Sequence, residues 1–189
     1  MTDLPAGSPY DPEILPSWFN LLQRVIDALT TGLNVIGTLL IVAIMVLVNW
    51  DVVGRGLFNA PVSGVPEIVS MSIVAIVFLQ IAQTFRKGRL TRTEAVLGFV
   101  EKRAPRLRIS IDLLFSLAAI ALVWQILSAS TPLFVKSWVR GTYEGTIGDF
   151  TAPVWPVKLI ILIGCGALLV QLAMFAAAAF LRLIHKAPK

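Results

Sequence analysis

Four long stretches without a charged residue alternate with shorter segments in which charge, proline and glycine concentrate. Residues 28–50, 68–85, 113–135 and 159–181 contain no Asp, Glu, Lys or Arg, and each is 18 to 23 residues long. A bilayer core about 30 Å thick is crossed by roughly 20 apolar residues of helix. Lipid offers no partner to an unpaired backbone amide or carbonyl, so segments of this kind cross as helices. With their less apolar flanks included, the pattern predicts spans at about 28–50, 66–85, 110–133 and 157–181. The uncharged run 56–66 is too short to span, and Asn59, Pro61, Ser63, Gly64 and Pro66 mark it as a turn-rich connection. Gly32, Gly37, Gly164, Gly166 and the Ala176–Ala179 run favour close helix contacts, or reflect the ordinary tolerance of glycine in membrane helices.

The intervening segments carry patterns of their own. The head, 1–16, is polar and holds Pro5, Pro9, Pro12 and Pro16, which predicts loose order. Trp18, Phe19, Leu22, Val25, Ile26 and Leu29 then fall at helical spacing, opposite Ser17, Asn20, Gln23, Arg24 and Asp27. Such a stretch can lie on the membrane surface before the chain turns inward, or meet a partner helix. In the loop 86–108, Thr91-Arg92-Thr93-Glu94 fits a capping box, Ala95 to Val100 supply an apolar face, and Pro105 interrupts it, predicting a short surface helix. The loop 134–156 carries Trp138, Tyr143 and Trp155, suited to a membrane–water belt. About 27 mostly polar residues precede the first span, which reads as a retained anchor rather than a cleaved leader.

Composition sharpens the class. Of 189 residues, 57% are hydrophobic and only 14% charged, with a mean hydropathy of +0.82. Soluble domains are about a quarter charged. An ordinary soluble enzyme, a disordered chain and a nucleic-acid partner are thereby excluded. The formal net charge is +5, and its placement matters more than its size. Twelve basic residues fall in the head, the 86–108 loop and the tail, against four (Arg55, Lys136, Arg140 and Lys158) in the other connections. The positive-inside rule then puts both termini in the cytoplasm and 134–156 in the periplasm. The expected fold is an all-α integral membrane protein: one four-helix domain over 1–189 with both termini cytoplasmic, plus short amphipathic interfacial helices.

Chemistry is sparse. One cysteine, Cys165, and one histidine, His185, exclude an internal disulfide, a cysteine-bound cluster and a bis-histidine haem. No nucleophile elbow, zinc motif or phosphate loop is present. No ionisable residue sits at mid-span, so no cofactor is expected in this chain. Glu67 opens the second span and Arg55 follows the first, so a Glu67–Arg55 pair could fix the hairpin; capture of an anion by Arg55 or contact with a partner subunit is the sharper alternative. Asp112 faces Arg108 one turn earlier. Asn34, Asn49, Gln80, Gln83, Gln125 and Gln171 either line a path or bond between helices.

The stretch Val53-Gly54-Arg55-Gly56-Leu57-Phe58-Asn59, with Pro61, Gly64 and Glu67-Ile68, resembles the first hairpin of the small membrane subunit of tripartite ATP-independent periplasmic (TRAP) transporters, the DctQ-type proteins. Arg86-Lys87-Gly88 followed by Arg92-Thr93-Glu94 is similar to that family's basic, glycine-containing motif ending in an acid, although Leu90-Thr91 stands where the family often has His-Ile. Trp155, Lys158 and Gly164 resemble its entry into the fourth span. The resemblance covers roughly residues 20–185. It implies an accessory subunit in a bacterial inner membrane, bound to the static scaffold of a large elevator-type permease and served by a periplasmic binding protein. It further implies import of organic acids on an ion gradient, usually sodium, with the sodium sites in the large partner. Arg55, Glu67, Arg86, Gly88, Arg92 and Glu94 are the expected structural or partner-facing residues, and lipids are expected partners. A tetraspan anchor of another complex, such as a redox complex, and a small autonomous exporter are the competing readings.

Overall fold

A computed structural model describes residues 17–86, 105–146 and 150–185. They form α1 (Ser17–Leu57), α2 (Val65–Arg86), α3 (Pro105–Arg140), a two-stranded hairpin of β1 (Tyr143–Thr146) and β2 (Phe150–Pro153), and α4 (Trp155–His185). Each helix contains a stretch long and apolar enough to cross a membrane, which matches the four expected spans.

Helix boundaries follow local chemistry. α1 ends where the amides of Phe58 and Ala60 both donate to the Gly54 carbonyl and Asn59 takes a left-handed φ of 52°. Asn tolerates that conformation better than most residues. Gly64, at φ 80°, turns the chain into α2, and its carbonyl accepts the first helical amide, from Ile68. Pro105 begins α3 and Pro156 is the second residue of α4, positions where the missing proline amide costs nothing.

Two features differ from the sequence reading. The 17–29 stretch is not a separate surface element; it continues into the span as one helix of 41 residues, about 60 Å long at 1.5 Å per residue. Within it Ile26 and Thr30 are buried while Leu22, Val25 and Leu29 are exposed, so only one narrow stripe packs. α3 runs through Pro132 to Arg140, and the connection beyond it folds back as an antiparallel hairpin pairing Tyr143 with Pro153 and Thr146 with Phe150. The expected helix in 86–108 lies outside the described residues.

The helices form an open row in the order α1, α2, α4, α3, with α1 also touching α4. α4 is central: 44% of its apolar window is buried inside the chain, against 6% for α1. Ala82 of α2 packs with Leu168 and Leu172 of α4 against Ala119, Ile120 and Val123 of α3. On the other side Ile26 of α1 meets Met174, Phe175 and Ala178 of α4, with Phe85 set edge-on to Phe175 at 5.6 Å between ring centres. Two glycines permit the closest approaches. A Cβ at Gly164 would overlap the Phe78 carbonyl, and one at Gly37 would press on the Gln80 side chain. Gln80 also donates across to Thr38 at 3.4 Å.

Candidate functional site

The charged residues of the described chain gather at the two ends of the row. At the end holding the α1–α2 connection, Asp51 is buried and accepts two bonds: one from the Arg55 guanidinium at 2.7 Å, one turn along the same helix, and one from the Val62 amide at 2.9 Å. The carboxylate therefore ties the end of α1 to the connection that leads into α2. The structure pairs Arg55 with Asp51 and not with Glu67. Arg55 and Asp51 are neighbours on one helical face whatever the connection does, whereas Glu67 stands on the next helix. Glu67 lies in the first turn of α2, where a negative charge complements the helix dipole, and its carbonyl accepts from Ser70.

The same end is closed by the hairpin. Phe150 sits over Gly64, where any Cβ would collide with its ring. Lys158, in the first turn of α4, donates to the Leu133 carbonyl at 3.3 Å and to the buried Ser137 hydroxyl, clamping α4 to the end of α3. Trp138 and Trp155 meet edge to face at 4.8 Å and, with Tyr143, Thr151 and Pro153, line a cavity against the hairpin.

At the opposite end Arg86 reaches from the last turn of α2 to Asp27 of α1 at 2.7 Å. Both side chains are largely covered, with 22% and 17% exposed. Gln171 of α4 lies against Asp27 and is itself buried, as is Gln83 of α2. Asp27 Oδ1, Gln83 Oε1 and Gln171 Oε1 are buried acceptors that the described side chains leave without a donor. Polar groups of three helices thus converge here, with room in their bonding capacity for water. Among the described residues no group of three or more metal-ligating side chains occurs.

Of the six residues singled out by sequence, Arg55, Glu67 and Arg86 are placed, at opposite ends of the row; Gly88, Arg92 and Glu94 lie outside the described residues. The structure adds Asp27, Asp51 and Lys158 as the groups that hold the helices to one another. The Asp51-to-Arg55 spacing was visible in the sequence; the reach of Arg86 to Asp27 across 59 positions carried no local signal.

The family model of the tripartite ATP-independent periplasmic transporters, DctQ component, matches residues 44–185. The chain belongs to the DctQ family. The match takes in the Asp51–Arg55 staple, α2, α3, the hairpin and all of α4, and begins after the residue that pairs with Arg86. DctQ is a transporter component and not an enzyme family. Neither the curated proteins nor the solved structures yielded a match. As a DctQ protein with four membrane-length helices, the chain is a small membrane subunit of a TRAP transporter.

Proposed function

We propose that this DctQ subunit is a passive frame. It binds the static scaffold of a large elevator-type permease subunit in a bacterial inner membrane and steadies it while the permease imports organic acids on an ion gradient, with sodium as the coupling ion held in the large subunit. A periplasmic binding protein delivers the ligand. Both termini of the frame face the cytoplasm, in keeping with its basic residues. The observation that carries this reading is the open row: α1 and α3 stand on its flanks, with only 6% and 11% of the residues in their apolar windows buried inside the chain. An autonomous carrier encloses a site near mid-membrane, usually at the interface of structural repeats. Here the Asp51–Arg55 and Asp27–Arg86 pairs and the Lys158 clamp tie one element to another at the two ends. An elevator gains stroke only against something held still, and a broad helical layer bound to its frame adds lipid contact that resists tilting.

Reconstitution tests this directly. Vesicles carrying this chain alone, the large subunit alone, or both are supplied with the binding protein, a sodium gradient and a panel of radiolabelled organic acids. Uptake is expected only when both membrane subunits are present. Uptake by this chain alone would overturn the reading.

A further inference from the structure

We infer that the outward face of α3 around Trp124 and Gln125 is where a membrane helix of the large subunit docks; this rests on the frame reading above. Trp124 stands 12 residues from Asp112 and 12 from Lys136, the charges that bound the apolar part of α3. At 1.5 Å per residue it is about 18 Å from either, which is the centre of the bilayer. Tryptophan favours the two interfaces, where its N–H finds water or headgroups. Here the indole is 61% exposed at mid-depth. Gln125, beside it, is exposed as well. Neither side chain meets a hydrogen-bonding group among the described residues. Two turns further, Pro132 supplies no amide to the Ser128 carbonyl four residues before it, so that acceptor lacks its usual helical donor.

The Trp124 indole and the Gln125 carboxamide thus face hydrocarbon with nothing to bond, and lipid tails cannot satisfy either of them. The polar residues on the exposed parts of α1 are different. Thr31, Thr38 and Asn49 each bond a carbonyl of their own helix. Ala121, Gln125 and Ser128 fall at helical spacing on one face, and the small side chains at 121 and 128 let a second backbone come close. The occupant that fits is a transmembrane helix offering an acceptor to the indole, a carboxamide or hydroxyl to Gln125 and a donor to the Ser128 carbonyl. Trp124 is then the anchor of the contact.

The test uses the full-length chain co-expressed with the large subunit. A photoreactive benzoylphenylalanine replaces Ala121 or Ser128 and, as a comparison, Met45 on the exposed side of α1. Light is expected to join the chain to the large subunit from 121 and 128 and not from 45. In parallel, Gln125→Leu is expected to weaken the complex about threefold, the equivalent of about 0.6 kcal/mol for one interhelical bond. Trp124→Leu is expected to weaken it at least tenfold. Neither change should lower the melting temperature of the isolated chain, since neither side chain bonds within it. Adducts to lipid at 121 and 128 within an intact complex would overturn the docking face and leave the frame reading standing. So would adducts joining two copies of this chain, or an affinity untouched by the double replacement. Failure to recover any complex would overturn both.

Discussion

Asp51 carries more of the α1–α2 connection than Arg55 does, because only one of them is buried. The carboxylate is 9% exposed and the guanidinium 61%. Asp51→Ala removes an acceptor that serves both a side chain and a backbone amide, and is expected to cost about 2 kcal/mol. Arg55→Ala, losing a largely solvated partner, is expected to cost under about 1 kcal/mol. Thermal unfolding in detergent measures both, and a double-mutant cycle should show coupling between Asp51 and Arg55 and none between Arg55 and Glu67. At the other end Asp27→Ala strands Arg86 where it is mostly covered, and a loss of about 3 kcal/mol is expected. The exchange Asp27→Arg with Arg86→Asp should return part of it. These residues show what sequence can and cannot reveal. Arg55 and Glu67 stand out as charges beside a short connection, yet the structure pairs Arg55 with Asp51 rather than with Glu67. Burial of Asp51 is a tertiary fact, created when residues 58–64 fold back over it. Asp27 read as one more polar position on an amphipathic face.

Elements were legible in proportion to their hydrophobic length. The four spans follow from charge-free runs, and Thr91, Gly88, Arg92 and Glu94 fall in a segment the structure does not describe. The hairpin is hard to see in the sequence: Tyr143–Thr146 and Phe150–Pro153 are four residues each and contain Gly145 and Pro153, and the alternation of Phe150 and Ala152 with Thr151 and Pro153 is too short to stand out. They pair because they are held between the ends of α3 and α4 and because Phe150 finds the bare backbone of Gly64. Gly64→Ala should therefore act twice, through the positive φ and through collision with the ring. A loss of about 2 kcal/mol is expected, read by thermal unfolding. Continuation of α3 past Pro132 was missed for a different reason. Proline in a membrane helix is tolerated more readily than in a soluble one, and the Lys158 clamp secures the last turns. Gly164→Leu should part α2 from α4 at Phe78, and cross-linking between cysteines placed on those helices would fall.

On the scale of the whole molecule, adjacent packed helices sit about 8–10 Å apart, and the four make an open layer in which α1, α2 and α4 touch one another and α3 is held against α4. Such a layer buries little of itself. Stability of the isolated chain should accordingly be modest and should rise with the concentration of a membrane partner that covers α3, a dependence measurable as a shift in melting temperature across a titration. That the protein is helical, membrane-bound and of DctQ type was readable from runs of apolar residues and a few short motifs. That the helices form a row, and not a closed bundle, was not, because helix order depends on which faces meet and all four are apolar on every side.

The unbroken α1 has a mechanical corollary. Its N-terminal end, from Ser17 to Ile26, extends as a stiff pointer beyond the Asp27–Arg86 pair, with no joint between pointer and span. Membrane helices commonly tilt by about 20°. A change of only 10° in a rod about 60 Å long swings one tip about 10 Å relative to the other. Small leaning motions of the span are therefore delivered undamped to the N-terminal tip of the helix.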